Sequence, residues 1–369
     1  DCSGNRIWNH VRVKGASVAG GILTAYIPLD STGVFVYRAA DGQGNISATQ
    51  VAVKMELLAV GTYNYEVHGI EMVYIPYGSF VLGDNSLGNT YCDAFSEITI
   101  SDSSAIAAGA LGANAQNGAI PTTFPHGQNA LYCMKYEITV EQYVNFLNDL
   151  TYDQQLRRAG IMHYGVNHTF VNGAAGTVLS TYPNVAASAT NPPLHFANPY
   201  GVNTQPTIVI NTPGTNNMIP AVYSANCNND ANYDNFDDCQ TMAMEGLSWS
   251  DLAAYLDWAC LRPMSEMEFE KICRGTLPKV NGEYAWGDVN LSQVTMASIT
   301  NNRQYNMVSS LSSVGLCNYG NDLGTSIDGP YRVGMLAKSN TVRNTAGTTF
   351  YGVADMSGNV AEIVVGVGA

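Results

Sequence analysis

The sequence predicts an α+β protein in two parts: a small all-β module over residues 1–68 and an irregular α+β domain over 69–369. Three observations predict this. The first part carries short runs rich in β-branched and aromatic residues, as strands require. Three later segments open on helix-capping signals. The sequence around those helices consists of long stretches rich in Asn, Gly, Thr and Ser, at 84–128, 152–241 and 288–350.

The β-runs of the first part are VRVKG, ILTAYIPL, GVFVYRAA and ATQVAVKMEL. Val51, Val53, Met55 and Leu57 alternate with other residues, the pattern of a half-buried strand. DGQGN at 41–45 is a turn between two runs. Several strands in so short a span suggest an immunoglobulin-like sandwich. It carries no catalytic constellation and reads as a spacer or interaction module.

In the second part, Thr139-Val-Glu-Gln142 is a capping box before QYVNFLNDL. Ser248-Trp-Ser-Asp251 is a similar start before LAAYLDWA, and Leu252, Tyr255, Leu256 and Ala259 follow core-facing spacing. Ser265-Glu-Met-Glu268 is a third, and Gly275 ends that helix. Loops as long as those between these helices are uncommon unless functional or pinned by ions or disulfides.

Composition narrows the function. Hydrophobic residues make up 46% of 369, enough for a sizeable core, whereas charged residues are only 12%. The surface is therefore largely neutral and polar, as in many secreted and surface proteins. A net charge of −14 opposes binding to nucleic-acid phosphates and to anionic membranes. No apolar run is long enough to span a bilayer, so no membrane insertion is expected. Eight cysteines include no CxxC pair, which argues against a zinc ribbon. Cys227 and Cys239 bracket a polar loop and form the candidate disulfide. Cys260 and Cys273 read as buried free thiols. The Asn- and Asp-rich run between Asn228 and Asp238 lacks EF-hand spacing and reads as an Asx-turn loop.

Four blocks then appear in order. They are MVYIPYGSFVLG at 72–83, LYCMKYEITVEQYVNFLN at 131–148, EGLSWSDLAAYLDWACLRPMSEMEFEKICRGTLPKVNGEYAWG at 245–287 and GVADMSGNVAE at 352–362. Together they resemble the formylglycine-generating-enzyme (sulfatase-modifying factor) domain. The wording RPMSEMEFEKICRG is similar to secreted members from Bacteroidetes-type bacteria. The resemblance implies a C-type-lectin-like fold, with long loops on a small sheet and bound Ca²⁺. It implies ligands at Asn359 and Glu362 with the backbone of Val360. It implies a further set at Asn318, Tyr319 and Asp328 with backbone oxygen from Pro330. Oxygen-only ligands fit a hard cation.

The family's enzyme oxidises a substrate cysteine on copper held by two thiolates, ligands that suit Cu(I). Those cysteines lie beyond the last block, near an ArgGlyGly step, and the given sequence runs only to Ala369. The two tryptophans of the family's last block stand here as Ala361 and Ile363. A related iron enzyme uses a HisxxxHis helix, which His163 and His168 do not form. Neither copper nor iron is expected in this chain; calcium is. The expected function is that of a non-catalytic structural or binding protein, secreted or on the cell surface, such as a subunit of a surface filament. Its partners would be other copies of itself, surface proteins or glycans. Two alternatives stay open: a copper-dependent formylglycine-generating oxidase whose catalytic segment lies past residue 369, and a lectin-like receptor for glycans or proteins.

Overall fold

The computed structural model describes residues 10–19, 22–29, 31, 33–40, 50–56, 60–83, 96–111, 118–158, 177–178, 208–212, 220–226, 232–244, 247–301, 304–319 and 330–367. It is mixed α/β, with few helices and small strand pairs.

The N-terminal part forms two antiparallel pairs. β1 (Val13–Val18) pairs with β4 (Val51–Met55), and β2 (Leu23–Tyr26) pairs with β3 (Phe35–Arg38). The alternation in β4 was expected to bury one face. Instead all five of its residues are exposed. Alternation requires only that one face be apolar; among the described residues no second layer covers it. The N-terminal strand pairs meet the β5–β8 pair of the rest of the chain through aromatic rings. Phe35 stacks on Tyr132 at 5.3 Å, and Tyr132 lies 5.2 Å from Tyr74.

In the larger domain, β5 (Met72–Ile75) pairs with β8 (Leu131–Met134), and β6 (Phe80–Leu82) pairs with β7 (Ile98–Ile100). Helices α1 (Val140–Asp149) and α2 (Tyr152–Arg158) follow. Strands β9 (Thr177–Val178), β10 (Ile208–Thr212) and β11 (Val222–Ala225) form an antiparallel sheet in the order β11-β10-β9. Helices α3 (Trp249–Trp258) and α4 (Glu266–Arg274) come next. Four two-residue strands close the chain: β12 (Ser292–Gln293), β13 (Ile299–Thr300), β14 (Val308–Ser309) and β15 (Leu316–Cys317). β12 pairs with β15 in parallel, and β13 with β14 antiparallel. Among the described residues no helix is long and apolar enough to cross a membrane.

All three expected capping boxes form, at Thr139/Gln142, Ser248/Asp251 and Ser265/Glu268. A fourth signal was overlooked. Thr151 and Gln154 exchange the same backbone–side-chain bonds at the start of α2, inside a stretch read as irregular. The α1–α3 core holds Tyr143, Phe146, Leu147, Tyr255 and Leu256 against Tyr223 of β11, with Leu252 and Ala259 packed at its margin.

Helix α4 joins two further cores. Met267 enters one with Phe80, Leu82 and Ile100; Ile272 enters the other with Ile75, Cys133 and Val353. Its polar residues Glu268, Lys271 and Arg274 are also buried but satisfied. Lys271 donates from Nζ to the carbonyls of Pro76 at 2.8 Å, Gln128 at 3.2 Å and Asn129 at 3.4 Å. Arg274 binds Glu283 at 2.5 Å and also Glu270. Gly275 terminates the helix at φ +69°, where a Cβ would sit 2.2 Å from the Phe350 ring. Cys273 is partly buried and free as expected, whereas Cys260 is exposed, because it sits at φ +58° just past the end of α3.

Candidate metal centre

The 352–362 block folds as a tight turn on the β15 segment. Gly358 has φ +100°, and a Cβ there would approach the Asn318 carbonyl oxygen to 2.7 Å. Only glycine allows this approach. Asn359 follows at φ +62°, a conformation Asn tolerates better than most residues. Its backbone N–H donates to the Asn318 carbonyl at 2.9 Å. Its Oδ1 accepts from the Tyr331 N–H at 2.9 Å, and its Nδ2 donates to Glu137 Oε2 at 2.6 Å. The other Glu137 oxygen accepts from the Val360 N–H at 3.0 Å.

The two expected calcium sets are therefore neighbours in one network. Asn359 touches the backbones of both Asn318 and Tyr331, the residue after buried Pro330. Asp328 lies outside the described residues. Gln293 clamps the Asn318–Tyr319 step: its Nε2 donates to Asn318 Oδ1 at 3.1 Å, and its Oε1 accepts from the Tyr319 N–H at 3.0 Å. Asn359 Oδ1 and Asn318 Oδ1 are thus both engaged in hydrogen bonds.

Glu137 was not picked out as a site residue. It stands at the Glu-Ile-Thr step that ends the second block, just ahead of the Thr139 cap, so a signal for it was present.

Three carboxylates share this region. Burial raises Glu137 well above the ordinary glutamate range, and the charges of Asp355 and Glu362 raise it further; its bonds from Val360 and Asn359 oppose this. Burial pushes Glu362 up to about 8, with Asp355 adding to it. Burial pushes Asp355 up to about 6, against the Gly334 N–H that donates to it at 2.6 Å. Glu362 Oε1 is buried with no hydrogen-bond partner among the described residues. A buried orphan oxygen beside like-charged carboxylates is the setting in which a hard cation would be accommodated. Carboxylate, amide and carbonyl oxygens are the ligand types a hard cation takes, although among the described residues the three carboxylates do not bring their oxygens together as one cluster.

A model of the Sulfatase-modifying factor enzyme 1-like domain family (FGE-sulfatase) matches residues 64–366. The chain belongs to this family. No curated protein matches it. Within this FGE-sulfatase domain, Ala361 and Ile363 stand exposed beside the turn. Three of the free thiols, Cys133, Cys273 and Cys317, are poorly suited to act as thiolates. Burial, the largest cause, raises Cys133 and Cys317 to about 12 and Cys273 well above its ordinary value.

In the Asx-rich loop, Asp234 Oδ1 accepts from the Ala225 N–H at 2.7 Å and Asp238 Oδ2 from the Asn235 N–H at 2.7 Å. Neither is the i to i+2 bond of an Asx-turn: the first spans nine residues from β11 into the loop, and the second runs back three residues. Cys239 is buried; Cys227 lies outside the described residues.

Proposed function

We propose that this FGE-sulfatase-family chain is a non-catalytic structural or binding protein of the cell surface or extracellular space. Its larger domain serves as a C-type-lectin-like platform pinned by Ca²⁺ at Asn359 and Glu362, and its N-terminal strand pairs serve as an immunoglobulin-like assembly module. The Cys227–Cys239 pair would staple the Asx-rich loop. The observation that carries this reading is β4. Val51, Val53 and Met55 are all exposed, with Ile22 and Tyr26 of the same module also in solvent. A strand with an exposed apolar face is a surface for strand addition or for a second copy of the chain.

Two features of the larger domain support the non-catalytic part. Ala361 and Ile363 supply no aromatic wall where the family has tryptophans. The free thiols of Cys133, Cys273 and Cys317 are held protonated by burial.

Incubating the purified chain with Cu(I) and a cysteine-containing sulfatase peptide tests the reading. Neither stoichiometric copper uptake nor an aldehyde product is expected; both together would overturn it. Sedimentation should also show concentration-dependent self-association that Val53→Glu weakens. A monomer at all concentrations would remove the assembly role.

A further inference from the structure

The segment that links the two modules, residues 60–70, crosses the C-terminal end of α1. There Glu66, His68 and Asp149 each place a ligand atom within 4.8 Å of the other two. His68 Nε2 lies 3.3 Å from Asp149 Oδ2 and 3.7 Å from Glu66 Oε1. Ligands about 2.0–2.1 Å from a tetrahedral zinc are separated from one another by roughly 3.4 Å. The two separations from His68 sit near that value, so small side-chain rotations would close the set.

The Asp149 side chain is only 10% exposed, and its Oδ1 is buried with no hydrogen-bond partner among the described residues. A buried carboxylate oxygen without a donor calls for a compensating positive charge. The other oxygen, Oδ2, accepts from the indole N–H of Trp258 at 3.0 Å. The His68 ring packs edge-on against the same indole, with centroids 4.8 Å apart. Trp258 thus contacts two of the three prospective ligands: it hydrogen-bonds the Asp149 oxygen that faces His68 and packs against the His68 ring, which leaves Oδ1 as the oxygen without a partner among the described residues.

We propose that Glu66, His68 and Asp149 form a zinc site that fastens the inter-module segment to helix α1. One imidazole nitrogen and two carboxylates suit a borderline divalent ion rather than Ca²⁺ or Mg²⁺, which take oxygen alone. Water would fill the remaining position. This site does not depend on the proposed function, and it is separate from the Asn359 centre in both residues and ligand type.

Titration of the tag-free full chain with ZnCl₂, followed by calorimetry and thermal melting, tests the proposal. One saturable site and a rise in melting temperature that EDTA reverses are expected. Glu66→Gln and His68→Ala should weaken zinc at least tenfold; His68→Ala also loses the Asp149 pair and the Trp258 contact, so the zinc-induced rise in melting temperature is read against each variant's own metal-free value. Trp258→Phe should weaken zinc about tenfold while leaving the ligands in place. Asn359→Ala should leave zinc affinity unchanged. Co²⁺ should give the intense visible absorption of a tetrahedral site, lost in His68→Ala. No saturable binding, or affinity unchanged in Glu66→Gln and His68→Ala, would overturn the proposal and leave His68 as an ion-pair partner only.

Discussion

Asn359 donates to the Glu137 carboxylate at 2.6 Å across 222 residues of sequence. The same carboxylate accepts from the Val360 N–H. One side chain ahead of α1 therefore holds the Gly358–Asn359 turn in place. Glu137→Ala would leave the Val360 N–H unpaired, at about 1–3 kcal/mol, while Asn359 Nδ2 keeps its 3.4 Å bond to the Tyr331 carbonyl. A loss of about 1–3 kcal/mol in urea unfolding is expected, with Glu137→Gln retaining part of it.

Calcium dependence should follow from the orphan Glu362 oxygen. EDTA is expected to lower the melting temperature and Ca²⁺ to restore it. Glu362→Gln should blunt that response. A melting curve indifferent to both reagents would count against the Asn359/Glu362 centre.

The pH profile of the calcium-free chain has a definite sign. Glu362 rises in the fold from 4.5 to about 8, and Asp355 from 3.8 to about 6. The folded state then binds more protons than the unfolded state between those values, so stability falls as pH rises. The contribution is fully present below about pH 4 and lost progressively towards pH 8. Denaturation midpoints measured across this range should decline, and Asp355→Asn should flatten the lower part of the decline.

The start of α4 depends on Ser265. Its Oγ accepts from the Glu268 N–H at 3.1 Å and donates to the Pro125 carbonyl at 2.6 Å. Ser265→Ala should cost about 1–2 kcal/mol. At the other end, Gly275→Ala combines a positive φ with the Phe350 clash and should cost more. A Phe350→Ala background should relieve only the steric part, which a double-mutant cycle would show.

Those two helix ends also show what the sequence made legible. Capping is chemistry between residues three apart, so Thr139, Ser248 and Ser265 could be read directly, and Thr151 was missed although it carried the same signal. Tertiary cover is different. The alternation in β4 marked an apolar face but could not say whether anything lies over it. The Asn359 turn was found through the family's wording, because glycine before asparagine suits one backbone conformation. That its carbonyl partner would be Asn318 depends on how distant loops meet. Glu66, His68 and Asp149 carry no spacing signal, since the fold alone brings them together.

Lys271 offers a clock for that fold. Its amine is almost completely buried and bound to three carbonyls from the segments flanking β5 and β8. Acylating reagents can reach it only when α4 parts from those segments. The rate at which Lys271 is labelled, compared with exposed lysines such as Lys54, would therefore record how often the domain opens in its native state.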